Sequence, residues 1–322
     1  MIAITDSGGF VKIDTDQIDQ AMRQEFGNAE EWKVYSDFDS MLPDKENIEI
    51  ILNNAPLNAA KLDQFQNLRW VFSYSAGIDR YPLRELSKMG VVLTNTSGVQ
   101  AKPIAEQVFG AMIMFSRNLI TAFQNQANKV WDQTIAVSEL ADQKLLIVGA
   151  GAIGREIARK AKAFDMHVTG IRNRLTDELP QYFDDMFTMD SLESLLPQAH
   201  YVVCVLPSTD ATRGLFDASK IALMNDEAVF INVGRGDLTV EEDLVAALRA
   251  QTLKGAYLDV FATEPVPKDS PLWDLDNLLM TPHNSGPSQH YFERAFAIFA
   301  QNLRRYRRGE QLINQIDYDL KY

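Results

Sequence analysis

Three side chains in the C-terminal part of the chain have the types and placement that proton and charge handling at a carbonyl would need. His283 lies in Thr281-Pro-His-Asn-Ser-Gly286, directly after an apolar run of strand length. Arg235 lies in Phe230-Ile-Asn-Val-Gly-Arg-Gly-Asp237, also just past such a run and framed by glycines. Glu264 follows Tyr257-Leu-Asp-Val260 and precedes Pro265. An imidazole can give or take a proton near neutrality, and a guanidinium presents a fork that matches a carboxylate. Taken singly, each has an ordinary reading: a structural histidine, a turn arginine, a solvated acid beside a proline. Each follows one of three successive predicted strands, which points to one crevice at the carboxyl ends of a parallel sheet, where open α/β sheets bind ligands. The other histidines are placed less suggestively: His167 begins a strand, His200 precedes one, and His290 sits in the first turn of the last helix.

A second signature lies upstream. Lys144 to Val148 reads as a strand, Gly149-Ala150-Gly151-Ala152-Ile153-Gly154 as a turn, and Arg155 to Phe164 as a helix with Ile157, Ala158, Ala161 and Ala163 at helical spacing. The first glycine permits the tight turn, and the second lets backbone approach a pyrophosphate. The third lets helix pack on strand, and the helix points its N-terminus at the phosphates. A bare G-x-G-x-x-G marks many ordinary turns; strand before and helix after give the context a dinucleotide site requires. The following strand ends at Ile171, and Arg172-Asn173-Arg174 stands where an NAD site usually places an acid. A carboxylate there would repel a 2′-phosphate, whereas a guanidinium can pair with it. The expectation is NADP(H), with NAD(H) as the alternative; solvated surface arginines are the ordinary reading.

These residues need strands to carry them. Strand-like runs are expected at 144–148, 167–171, 201–206, 228–233, 255–260 and 278–281, six strands of a doubly wound nucleotide domain. Upstream, strands at 48–52, 68–73 and 91–94 alternate with helices at 14–26, 59–65 and 83–89, which argues for a parallel sheet. A helix from Ile104 to Leu119 is apolar nearly all round and is expected to be buried between two bodies. Residues 120–143 read as a polar, irregular arm that could reach a partner subunit, and 289–308 as a long final helix. The two long helices bracket the glycine-rich unit as crossovers between domains. The expected architecture is α/β with two doubly wound parallel-sheet domains. A Rossmann nucleotide domain (99–286) is inserted into a discontinuous, flavodoxin-like substrate domain (1–98 and 287–322).

Composition narrows the classes. With 322 residues and 46% hydrophobic content there is material for two cores, and a net charge of −13 disfavours a nucleic-acid surface. The basic run Arg304-Arg305-Tyr306-Arg307-Arg308 ends a helix, where cations suit the macrodipole. The one cysteine, Cys204, lies in Tyr201-Val-Val-Cys-Val-Leu206 and reads as core filler. No basic, apolar leader and no run of about twenty apolar residues is visible, so a soluble protein of the cytoplasm is expected, with no membrane partner and no metal site.

At the segments around the three chemical residues a resemblance becomes specific. The chain resembles the D-isomer-specific 2-hydroxyacid dehydrogenase family over nearly all its length beyond the first fifty residues. The matching pieces are Gly149 to Ala158, Leu206-Pro-Ser-Thr-Asp-Ala-Thr212, Asn232-Val-Gly-Arg-Gly-Asp237, Leu258-Asp-Val-Phe-Ala-Thr-Glu264-Pro, Ser270-Pro-Leu-Trp273 and Thr281-Pro-His283. The resemblance implies that Arg235 binds a substrate's carboxylate and carbonyl. It implies that His283 gives the proton as hydride arrives, and that Glu264 holds His283 charged. Backbone amides around Ser75-Ala76-Gly77 match the family's substrate loop. Asp259 matches a contact to the nicotinamide carboxamide, and Leu206, Pro207, Thr212, Val233 and Gly234 match positions along the cofactor. Ala152 replaces an arginine common in the family's glycine loop. The implied activity is reduction of a small 2-keto acid, glyoxylate or hydroxypyruvate, to the D-2-hydroxy acid, and the reverse; a homodimer through the nucleotide domain and the 120–143 arm is expected separately. Two alternatives stand beside it. One is an NAD-dependent relative acting on a larger or phosphorylated substrate such as 3-phosphoglycerate, with Arg69, Arg80 and Arg84 as candidate phosphate ligands. The other is a cofactor-sensing corepressor-like binding protein. Asn53-Asn54 is a further clue to substrate choice.

Overall fold

The strands whose sequences are continuous apolar runs form where the pattern places them, in two separate parallel sheets of a computed structural model that describes residues 1–5, 14–53, 57–78, 81–175 and 177–319. The chain divides into two compact units, one of Met1–Gln100 with Pro287–Tyr322 and one of Ala101–Gly286.

In the first unit the strands are β1 (Ile2–Thr5), β2 (Trp32–Tyr35), β3 (Ile50–Asn53), β4 (Trp70–Ser73) and β5 (Val92–Thr94). They pair in the order β2-β1-β3-β4-β5, all parallel, which is the flavodoxin-like order. Helix α1 (Thr15–Phe26) starts on Asp14, whose carboxylate accepts from the Asp16 and Gln17 amides, and stops at Gly27 in the left-handed region (φ +56°). Helix α2 (Leu83–Lys88) precedes β5. The helix expected over 59–65 is a single 3₁₀ turn, Leu62–Gln64.

The second unit begins with α3 (Ala101–Ser116) and α4 (Leu119–Ala127). Two expectations change here. The long helix breaks before Leu119, and the first part of the arm is helical. Asn118 causes the break: it sits in the left-handed region (φ +48°), takes the Thr121 hydroxyl on Oδ1 at 2.8 Å and gives Nδ2 to the Ala136 carbonyl. The returning chain then caps α3, with Ser138 N–H on the Ser116 carbonyl at 2.7 Å.

Seven strands follow: β6 (Lys144–Val148), β7 (His167–Ile171), β8 (Asp185–Phe187), β9 (Tyr201–Cys204), β10 (Val229–Asn232), β11 (Gly255–Leu258) and β12 (Leu278–Met280). Their parallel order is β12-β11-β10-β9-β6-β7-β8, the doubly wound Rossmann arrangement, which reverses direction between β6 and β9. Between them run α5 (Ala152–Lys162), α6 (Leu192–Leu195), α7 (Ala218–Ile221) and α8 (Glu241–Arg249). Helix α3 buries Ile104, Ala105, Val108, Phe109 and Met112 in one cluster with Ile157, Ala158 and Ala161 of α5, so its apolar face is accounted for within its own unit. Cys204 is fully buried on β9, and burial pushes its thiol up to about 12, so it is core filler.

The last helix, α9 (Tyr291–Arg307), returns to the first unit. Phe299 stacks on Trp70 with ring centres 5.5 Å apart and meets Phe72 edge-on at 5.2 Å. No helix among the described residues is long and apolar enough to cross a membrane.

Candidate active site

The glycine turn, Arg172, Arg235, Glu264 and His283 each follow the carboxyl end of a strand of the same seven-stranded sheet: β6, β7, β10, β11 and β12. Parallel pairing makes this unavoidable, because all strand ends of one polarity share an edge.

His283 and Glu264 meet there. His283 Nδ1 lies 2.8 Å from Glu264 Oε2, and Glu264 Oε1 accepts the Phe261 amide at 3.0 Å. A carboxylate only accepts, so the imidazole proton on this side belongs to Nδ1. The acid that orients the ring is thereby held by backbone. His283 occupies the left-handed region (φ +51°), where a non-glycine residue is strained, so its neighbours must enforce the conformation.

The Arg235 turn is docked onto the Glu264 segment. A Cβ placed on Gly236 would lie 1.9 Å from the Phe261 carbonyl carbon, so only glycine permits the approach. Asn232 fixes the turn from below, accepting the Gly234 amide on Oδ1 and giving Nδ2 to the Arg235 carbonyl at 2.9 Å. Arg235 is partly buried, and its Nη1 donates to the Gly234 carbonyl at 2.9 Å.

Asp259, expected at the nicotinamide carboxamide, anchors the loop that carries His283. It is 1% exposed. Its Oδ1 accepts the Thr281 hydroxyl at 2.5 Å and the Asn284 amide at 3.0 Å; its Oδ2 accepts both the amide and the hydroxyl of Ser285. A carboxylate offers about four acceptor positions, and the loop carrying His283 fills them. Sequence reasoning missed the continuation of this network, from Thr281 through Tyr257 to Gln107 on α3. The available signals were a tyrosine in an otherwise apolar strand and a glutamine inside an apolar helix.

The glycine turn has the shape a dinucleotide requires. Gly149 sits at φ +114°, and a Cβ there would lie 2.7 Å from the Val205 carbonyl oxygen. A Cβ on Gly154 would strike the Gly149 carbonyl oxygen at 2.4 Å, whereas one on Gly151 would enter open space. No side chain caps α5 at Gly151, so the amides of its first turn, among them Ala152, Ile153 and Gly154, keep the orphan character that suits an anion. Leu206 is buried under the turn, 3.3 Å from the Gly149 Cβ direction, and Gly234 closes on the Leu206 carbonyl. Val233 is buried in the core, and Pro207, directly after Leu206, is exposed. The Thr212 hydroxyl braces its own loop, donating to the Pro207 carbonyl at 2.7 Å and accepting the Thr209 amide at 2.9 Å. After β7, the Arg172 and Arg174 side chains have no hydrogen-bond or ion-pair partner among the described residues, and Asn173 and Arg174 are exposed.

The first unit carries the other predicted loop. The carbonyls of Ser75, Ala76 and Gly77 are all engaged, by the Ser73 hydroxyl at 3.0 Å, Asn95 Nδ2 at 2.7 Å and the Ser75 hydroxyl at 2.8 Å. The amides of Ala76 and Gly77 donate to nothing among the described residues. Two adjacent free amides on an immobilised loop form an anion-accepting surface. Asn53 is not part of one: it is 1% exposed, and its Oδ1 takes the Tyr81 hydroxyl at 2.5 Å. Asn54 and Arg80 lie outside the described residues. Arg69 is exposed and donates from Nη1 to the Gln66 and Leu68 carbonyls, both at 2.9 Å. Arg84 is exposed.

A doubly wound sheet with an uncapped glycine-turn helix and a histidine–carboxylate pair on the same edge defines a dinucleotide-dependent α/β protein. Residues 109–285 match the D-isomer specific 2-hydroxyacid dehydrogenase, NAD binding domain, and the chain belongs to that family. Glyoxylate/hydroxypyruvate reductase B of Citrobacter koseri is 32% identical over 232 residues, covering 70% of this chain and 71% of that one. D-3-phosphoglycerate dehydrogenase of Methanocaldococcus jannaschii is 28% identical over 80% of this chain, which spans only 49% of that longer protein. A D-isomer specific 2-hydroxyacid dehydrogenase from Xanthobacter autotrophicus Py2, solved in complex with NADPH and MES, superposes with a TM-score of 0.86 at 27% identity, over 100% of this chain and 99% of its own.

Proposed function

We propose that the chain reduces a small 2-keto acid of the glyoxylate or hydroxypyruvate kind to the D-2-hydroxy acid with NADPH, and catalyses the reverse oxidation. The observation that carries this reading is the His283–Glu264 pair at 2.8 Å, on the sheet edge that also bears the glycine turn and Arg235.

The bound nicotinamide would supply the hydride. The free amides at the start of α5 would hold the pyrophosphate, and Arg172, Asn173 and Arg174 the ribose and its 2′-phosphate. Arg235 would pair with the substrate's carboxylate and polarise its carbonyl. His283 would give a proton to the carbonyl oxygen from the ring nitrogen turned away from Glu264, as the carbonyl carbon gains hydride. Glu264 would keep the ring oriented and stabilise its charged form. Proton plus hydride converts ketone to alcohol with no other reactant. The Arg172 and Arg174 guanidiniums, unpaired among the described residues and with no acid before Asp177, support NADP(H) over NAD(H).

A homodimer is part of the same reading. It rests on Phe123, Val130, Trp131 and Val137, which are each at least half exposed along one stretch, Trp131 at 89%. Light scattering that gives a monomer mass at working concentration would refute it.

Initial rates with glyoxylate, hydroxypyruvate, pyruvate and a branched 2-keto acid, each with NADPH and NADH, test the reaction. Turnover of the small acids with NADPH preference is expected. NADH preference would retire the role given to Arg172 and Arg174, and no turnover with any pair would overturn the substrate class. Preference for 3-phosphohydroxypyruvate over all four would favour the phosphoglycerate type of relative.

A further inference from the structure

The loop Thr281–Ser285 that carries His283 is gripped from two directions. Asp259 holds it from β11's end, as described. From the other side Gln107 of α3 reaches in: its Nε2 lies 2.8 Å from the Tyr257 hydroxyl, 3.1 Å from Thr281 Oγ1 and 3.4 Å from Asn284 Oδ1. Tyr257 is 2% exposed, and its hydroxyl lies 2.7 Å from Thr281 Oγ1.

The proton directions in this network are fixed by its ends. Asp259 accepts backbone amides on both oxygens, so it acts as a carboxylate, and the Thr281 hydroxyl must donate to it. Thr281 Oγ1 is then left to accept, and the Tyr257 hydroxyl must be its donor. Burial holds the Tyr257 phenol up at about 12, so that proton is present throughout the working range. The Tyr257 oxygen in turn accepts from Gln107, whose amide nitrogen can only donate. The chain therefore runs one way: Gln107, Tyr257, Thr281, Asp259.

We propose that Gln107 and Tyr257 are positioning residues for His283. Their hydrogen-bond chain polarises Thr281 toward Asp259, and with the Asn284 contact it braces both flanks of a histidine whose backbone is in the left-handed region. Without the brace the 281–285 loop relaxes, and the ring leaves Glu264. The functional half of this inference rests on the proton-donor role proposed for His283; the structural half does not.

The direction of the chain supplies the test. Gln107→Glu keeps the shape of the side chain but replaces a donor by an acceptor, leaving Tyr257 between two acceptors with one proton. Gln107→Met keeps the length and removes the donor. Tyr257→Phe keeps the buried ring and cuts the chain in the middle. All three are expected to lower kcat about tenfold with the cofactor Kd unchanged, the scale on which small misplacements of a reacting group act. In ¹⁵N spectra of the four histidines, the His283 ring signals should shift, and the Asn284 and Ser285 amides should exchange faster with solvent. A space-filling role for Gln107 predicts instead that Gln107→Glu behaves as wild type in kcat, ring signals and exchange, and that result overturns the proposal. If the unmodified protein turns over no 2-keto acid, the proposed reaction fails, and the ring signals and exchange rates still decide whether the brace exists. A variant that unfolds is replaced in the argument by the other two, since Tyr257→Phe and Gln107→Met change no charge.

Discussion

Glu264 holds His283 with one oxygen at 2.8 Å and the Phe261 amide with the other at 3.0 Å, so a single carboxylate fastens the imidazole to the backbone of the β11 loop. Glu264→Gln keeps an acceptor and removes the charge. It is expected to lower kcat by about 10- to 100-fold, and His283→Asn by about 10²- to 10⁴-fold, the range of general acid catalysis. Cofactor titration by fluorescence should give unchanged affinity in both. Full turnover in His283→Asn would remove this residue from the mechanism.

Arg172 and Arg174 give a second prediction. A charge-assisted hydrogen bond contributes about 1.5–3 kcal/mol, and solvent screening at these partly or fully exposed positions reduces that. Arg172→Ala with Arg174→Ala should therefore weaken NADPH binding by about tenfold and leave NADH binding nearly unchanged. Equal loss for both cofactors would mean that the arginines do not read the 2′-phosphate.

Two glycines should separate folding from binding. Gly236→Ala drives a methyl group to within 1.9 Å of the Phe261 carbonyl carbon and should cost about 2–3 kcal/mol or more in stability, since overpacking displaces backbone. Gly151→Ala points its methyl into open space at an ordinary backbone geometry (φ −81°), so melting should be unchanged while cofactor affinity falls. A Gly151→Ala variant that binds cofactor normally would argue against a pyrophosphate at this helix start.

His200 makes stability depend on pH. Its Nδ1 accepts the Lys144 amide at 3.0 Å, and burial, then the charges of Lys144 and Lys254, hold its pKa below the ordinary 6.5. The unfolded chain therefore takes up this proton first. The contribution is fully present above about 6.5 and is lost as pH falls from there toward the lowered folded value. Melting temperature measured from about pH 8 down to about pH 5 should fall more steeply for the wild type than for His200→Asn, which keeps an acceptor and cannot titrate. Parallel curves would contradict the assignment.

Most strands were legible because both faces are covered, which forces continuous apolar runs such as Leu145 to Val148 and Tyr201 to Cys204. Two edge strands, β8 and β2, were not. Asp185–Phe187 and Trp32–Tyr35 leave residues in solvent and show no such run. The His283–Glu264 contact was legible through the order of strand ends. The brace through Gln107 and Tyr257 was not, because its members lie 150 and 174 residues from Gln107 along the chain and no local pattern records their meeting. Asp259 was legible as a motif position, whereas its hold on Thr281, Asn284 and Ser285 was not, because no local pattern records those contacts.

The packing of Phe299 against Trp70 and Phe72 has a consequence for how the molecule is made. A nascent chain emerges from the ribosome N-terminus first, so β4 appears early with its large aromatic face uncovered. The stretch 101–286 is continuous and can bury its own cores as soon as Gly286 is out. The first unit must wait for α9. Biogenesis therefore runs against chain order, and the interval in which Trp70 and Phe72 lack Phe299 is when chaperones would be needed most.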